Sequence, residues 1–152
     1  MVSIVSLLIA ALIGFTGIAE PAPGEIADRF DPPRHYGIDI ATADRSVVRA
    51  VLPGEVSFAG EVADMLAVTI DHGGAVKTTL SFLDAISVSP GQSLMAGTPV
   101  GTASGHNGAT GFHLSLRVKG RYVDPSVLFA NLVPGRGLRL ISPPVSSSHN
   151  LT

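Results

Sequence analysis

Residues 112–118 read FHLSLRV, and the alternation in that stretch places the chain among the β proteins. Successive side chains of an extended strand point to opposite faces. Phe112, Leu114, Leu116 and Val118 then share one face, suited to a core. His113, Ser115 and Arg117 share the other, a polar face with a histidine and a plausible floor for a site. Taken alone, His113 is more often a hydrogen-bonded sheet histidine than a metal ligand.

The neighbouring stretches read the same way. VVRAVL from Val47, GEVSFAG from Gly54, MLAVTID from Met65 and AVKTTLSFL from Ala75 are short and rich in Val, Leu, Ile, Thr and Phe. Gly, Pro or Asp separates them, as expected of strands and turns. Asp71-His72-Gly73-Gly74 reads as a hairpin turn whose glycines supply positive φ. After residue 19 no window has helical periodicity, so the fold is all-β. Residues 20–34, EPAPGEIADRFDPPR, carry four prolines and read as an extended N-terminal segment. From Pro134 the chain is rich in Gly, Pro and Ser, and 131–152 is expected to be a flexible tail. The folded domain is then expected at 35–130.

Composition narrows the function. Charged residues make up 14% and the net charge is −2, which argues against nucleic acid as a partner. There is no cysteine, so a metal would be held by His, Asp, Glu or water. Residues 1–19, MVSIVSLLIAALIGFTGIA, are apolar or small without a charge, a pattern expected of a signal peptide or a membrane anchor. Export, secreted or held at the cell envelope, is the expectation.

His35 and Asp39 form an H-x-x-x-D pair in RHYGIDIA, residues 34–41. Both side chains are zinc ligands in principle. Four residues of extended strand separate Cα atoms by about 13 Å, so convergence calls for a bend, which Gly37 would allow. The pair is either part of a metal site or a polar pair at a sheet edge.

Taken in order, several stretches resemble the lysostaphin-type, or LytM-like, zinc peptidases, which cut peptide cross-links of bacterial peptidoglycan. RHYGIDIA resembles their first metal motif, H-x-x-x-D, and VVRAVLPGEVSFAG resembles the hairpin that follows it. VTIDHGGAVKTTLSFLDAISVSPGQSLMAGTPVG, residues 68–101, is similar without gaps to their central block. HLSLRVKGRYVDP, residues 113–125, resembles their last motif, H-F-E-I-R-V-x-G-x-x-V-D-P. The resemblance spans roughly residues 23–130, and it rests on order and spacing rather than on any single motif. It implies a compact antiparallel β-sandwich of the duplicated hybrid-motif kind. It also implies one zinc ion per chain, with water in the fourth position.

The family holds zinc with the His and Asp of the first motif and the second His of an H-x-H motif. His35 and Asp39 match the first two. For the third, either His113 is the first His of H-x-H and Ser115 replaces the ligand, or His113 is the ligand and Gly111 replaces the first His. The second register runs without a gap to Pro125 and puts the deletion in the loop TASGHNGATG, where length changes are tolerated. The implied ligand set is His35, Asp39 and His113.

The family also supplies two histidines for proton transfer and oxyanion stabilisation. Phe82 and Gly111 stand at those positions here. Neither moves a proton, and each lost group typically costs a factor of roughly 10² or more. The cleft is expected to be wider and more apolar on the Phe82 side, and restoring histidine at both positions is expected to raise cleavage. SGHNGATGFHLSLR, residues 104–117, resembles a secreted sub-group that keeps the ligands and lacks the usual histidines. His106 lies where it can reach metal-bound water as a substitute base; a solvated loop histidine is the plainer reading. His72 is expected to be structural. Arg117 and Ser115 are expected to contact substrate, Arg117 by binding a carboxylate, or simply to be solvated.

The favoured reading is a zinc-holding relative, catalytically impaired, that binds peptidoglycan stem peptides or cross-bridges or regulates another cell-wall hydrolase. The alternative is an active zinc endopeptidase with a substitute base. A metal-free adhesion or carbohydrate-binding sandwich is the third reading.

Overall fold

The computed structural model describes residues 17–105 and 109–129, together with the backbone of 139–140. Eleven strands appear in chain order: β1 Glu25–Asp28, β2 Ile38–Ala41, β3 Val47–Arg49, β4 Gly54–Val62, β5 Met65–Asp71, β6 Val76–Ile86, β7 Ser93–Leu94, β8 Pro99–Ala103, β9 Gly111–Val118, β10 Arg121–Val123 and β11 Arg139–Leu140. A single turn of 3-10 helix follows at Pro125–Leu128, with the Asp124 carboxylate accepting from the Ser126 N–H at 2.9 Å.

The strands run in the order β11-β1-β2-β9-β6-β5-β4-β7, with β10 beside β9, β8 beside β6, and β3 beside β8. Every pairing is antiparallel except that of β1 with β11. The architecture matches the expected all-β, antiparallel fold. Its core takes Ile38 and Ile40 from β2, Leu80 from β6, Val68 and Ile70 from β5 and four residues of β9. Val48, Ala50, Val51, Leu52 and Val100, from β3, β8 and the segment after β3, belong to the same cluster.

β9 alternates as its sequence requires. Phe112, Leu114, Leu116 and Val118 are buried, while His113, Ser115 and Arg117 are half-buried on the opposite face. A slip of one residue would expose the four apolar side chains at a cost of roughly 6–12 kcal/mol. That cost fixes which way His113 points.

Hairpin geometry supports the register. Ala63 and Asp64, between β4 and β5, both have positive φ (47° and 63°), as do Lys119 and Gly120 between β9 and β10 (51° and 77°). Both positions of such two-residue turns require left-handed backbone to match strand twist.

The segment 20–34 is not merely a lead-in. It contains β1, which pairs with β2, and Ala22 is buried in the core. Ile18 packs against that core, and the Ala19 N–H bonds the Val51 carbonyl at 2.9 Å. Arg139 and Leu140 pair with β1, so the span expected to be a tail carries one strand. Residues 1–16, most of the expected signal segment, lie outside the described residues, as does His106. Among the described residues no helix is long and apolar enough to cross a membrane.

His72 closes the β5–β6 turn from within. Its Nδ1–H donates to the Pro53 carbonyl at 2.7 Å, because a carbonyl only accepts, and its Nε2 accepts from the Thr78 hydroxyl at 2.8 Å. Both ring nitrogens are thus used by a neutral imidazole. Burial pushes its pKa below the ordinary histidine value, against smaller opposing effects of the Pro53 hydrogen bond and the Asp71 charge. The unfolded chain therefore binds the extra proton first as pH falls below about 6.5, so stability drops through that window and is flat above it. Urea unfolding at pH 7 and pH 5 should show this loss, and a His72→Gln variant should show less of it. An equal pH effect in the variant would assign the loss to other groups.

Candidate metal centre and cleft

His35 reaches Asp39 because the chain bends before β2 begins. The backbone N–H and C=O of Asp31 and His35 exchange hydrogen bonds of 2.9 Å, closing a tight turn over Pro32-Pro33-Arg34. Arg34 pins that turn from outside, bonding both Asp28 oxygens at 2.8 and 3.0 Å and Asp31 at 2.8 Å. The Arg34 guanidinium hydrogen bond holds the Asp28 carboxyl below its ordinary pKa, against a smaller opposing effect of burial.

Strand pairing brings in the third residue. Asp39 on β2 lies directly across from His113 on β9, and Ser81 on β6 lies on the other side of His113. His113 Nδ1 is 2.7 Å from Asp39 Oδ1, and His35 Nε2 is 3.2 Å from the same oxygen. The two rings meet edge to face at 4.9 Å. Ligand atoms of His35, Asp39 and His113 all lie within 4.8 Å of one another. It is His113, not Ser115, that meets the pair; Ser115 lies across from Thr79, two residues further along β9.

The donor set fits a cation. His35 Nδ1–H donates to the Arg29 carbonyl at 2.7 Å, which leaves the Nε2 lone pair facing the carboxylate. Two acceptors 3.2 Å apart are satisfied by a proton or a metal ion between them. His35 and Asp39 are only 9% and 8% exposed, so water does little to screen that contact. Two imidazoles and one carboxylate are a ligand set that suits zinc.

Gly37 has a more specific role than a hinge. A Cβ there would overlap Nε2 of His113 and the Leu114 carbonyl oxygen, so the His113 ring lies against its bare Cα.

His113 also lines a cleft of about 250 Å³ with Tyr36, Met65, Ser81, Ser115 and Arg117. Phe82 is not part of that lining. It is the extra residue of a β-bulge, since Leu66 pairs with Leu83 and Ala67 with Ser81, and its φ is 61°. It lines a second cavity of about 390 Å³ beside Glu61, Asp64, Met65 and Leu66, which shares Met65 with the cleft. The expectation of a broader, more apolar cleft at Phe82 therefore gives way to a second cavity that contains two acids. Gly111 departs in a different way. A Cβ on it would overlap the Ile40 carbonyl oxygen of β2, so this backbone has no room for any side chain. It was expected to be a position that histidine could refill, and the close strand contact rules that out.

Sequence reasoning did not single out Arg29, Ser81, Tyr36 or Tyr122. The first acts through its main chain, which carries no residue signal. The other three sit at the site only because of strand pairing and the turn before β2.

The sequence model of peptidase family M23 matches residues 33–125, which hold all three clustered residues. The chain belongs to peptidase family M23. The Neisseria meningitidis serogroup B protein NMB1333 is 32% identical over 92 residues, covering 59% of this chain and 15% of that protein. A peptidase M23 from Pseudomonas aeruginosa has a TM-score of 0.65 at 22% identity, over 82% of this chain and 58% of that one. A zinc-containing peptidase from Vibrio cholerae has a TM-score of 0.60 at 25% identity, over 69% and 37%. The antimicrobial peptidase lysostaphin of Staphylococcus simulans has a TM-score of 0.62 at 19% identity, over 81% and 56%. The M23 chain described here thus spans little more than half of the longest-matched of these relatives and a small part of the Neisseria protein.

Proposed function

We propose that this M23 domain is exported in a bacterium, holds one zinc ion at His35, Asp39 and His113, and binds peptidoglycan peptides with impaired cleavage. The observation that carries the reading is the pinned His35 tautomer, whose Nε2 faces the Asp39 oxygen that His113 also approaches. Zinc at such a site supplies Lewis acidity toward a peptide carbonyl. The chain's own residues orient that site: Arg29 fixes one imidazole, Asp39 joins the two, and Gly37 admits the His113 ring.

Impairment is supported by the two positions where the family's proton-transfer groups are expected. Phe82 lines a different cavity and Gly111 carries no side chain. Loss of general acid–base catalysis alone typically lowers rate by 10²–10⁴. The zinc-loaded protein should therefore sediment with purified peptidoglycan while releasing soluble fragments at close to the buffer rate. Release at a rate typical of active cell-wall peptidases would overturn the impaired reading. Failure to sediment would overturn the wall-binding one.

A further inference from the structure

Apart from histidine, Arg117 is the one charged side chain among the described residues lining the His113 cleft. Its guanidinium lies over the Tyr122 ring, 5.6 Å from the centroid, and Tyr122 in turn leans on Tyr36 at 5.2 Å. Both tyrosines are exposed, at 45% and 44%, so they form a wall at the cleft edge rather than part of the core. A cation held over an aromatic face is restrained in orientation while its planar N–H donors stay available to a carboxylate. No ion pair joins Arg117 to a described acid; Lys77, directly across the strand, lies 3.6 Å from Asp71.

Spacing along β9 sets a ruler. His113 and Arg117 share a face four residues apart, about 13 Å, which is the span of roughly four residues of extended ligand. Between them the floor carries hydroxyls. Ser115 lies across from Thr79, and Thr79 bonds Thr69 at 2.8 Å. Hydroxyls both donate and accept, which matches the N–H and C=O groups of a peptide main chain.

We propose that the cleft selects an extended peptide with a free carboxylate, docked on Arg117 about four residues from the group held at His35, Asp39 and His113. This rests on the zinc-site reading above and adds the chemical class of the ligand. The probes are oligoalanines anchored at one end by a hydroxamate and ending in a carboxylate, in an amide, or in an amide preceded by aspartate. They are titrated into the zinc-loaded full chain.

At four residues the acid should bind about tenfold more tightly than the amide, the usual scale of a charge-assisted hydrogen bond. At two residues the difference should shrink. Recovery of the difference by the aspartate peptide would extend the site to side-chain carboxylates; its absence would assign the site to a chain terminus. Arg117→Gln should erase the difference while keeping zinc content and amide affinity. Equal binding of acid and amide, or an acid preference that survives Arg117→Gln, would overturn the proposal. A chain that holds no zinc would sink the metal reading alone. Unanchored tetra-alanine acid and amide, compared by NMR titration, would then still decide the role of Arg117.

Discussion

Replacing Asp39 with alanine is expected to reduce zinc from the proposed one ion per chain to almost none. Asp39 supplies the one carboxylate of the cluster, and the same oxygen lies 2.7 Å from His113 and 3.2 Å from His35. Without it two imidazoles remain, half the ligand set of a four-coordinate zinc site. The metal-free protein should lose stability too. The side chain is 8% exposed, and leaving the His113 Nδ1–H without its acceptor costs about 1–3 kcal/mol.

A ligand that binds the native state alone stabilises it by about 4 kcal/mol at a thousand times its dissociation constant, so zinc should raise the unfolding midpoint of the parent protein. It should leave that of Asp39→Ala unmoved. Asp39→Asn separates the two effects, since it can keep an oxygen toward His113 yet removes the charge. Its metal-free stability should be nearer the parent while its zinc content stays low. Stoichiometric zinc in Asp39→Ala, read by elemental analysis, would refute the site.

What could be read in the sequence follows from which interactions are local. Alternation in FHLSLRV set the faces of β9 correctly, because burying four apolar side chains outweighs any competing register. The H-x-x-x-D pair was visible as a pattern, but its closure was not. It depends on a turn pinned by Arg34 and on a carbonyl of Arg29, contacts that no short motif encodes. The β4–β5 turn at Ala63 and Asp64 takes the left-handed backbone without a glycine, so turn chemistry alone gives little sign of it.

Segment 20–34 read as an extended entry because of its prolines, and β1 within it joins the sheet through pairing with β2, a long-range term that local composition does not carry. The meaning of Gly111 was hidden for the same reason. A glycine in sequence looks like a deleted side chain, whereas here it marks a close approach of two strands.

That difference gives the second large effect: histidine restored at both Phe82 and Gly111 is expected to unfold or loosen the site rather than activate it. Gly111 lies across from Ala41, two rungs along the β2–β9 pairing from Asp39 and His113. A Cβ at Gly111 meets the Ile40 carbonyl oxygen, a backbone atom that can move only if the strands part. Overpacking of this kind costs roughly 1–3 kcal/mol and more when the backbone itself is displaced. The same displacement pulls Asp39 from His113, so Gly111→His should lower both the urea midpoint and zinc content.

Phe82→His should behave otherwise. Its φ of 61° is a backbone that histidine adopts more readily than phenylalanine, so the single variant should fold. Its ring would then enter the cavity of Glu61 and Asp64 rather than the His113 cleft, and fragment release should stay at the parent level. The three proteins can be compared by urea unfolding, zinc content and release from purified peptidoglycan. A Gly111→His chain of parental stability that also gains release would show that β9 can recede from Ile40 at little cost. The proposed impairment would then lie in missing side chains alone, and not in the backbone that excludes them.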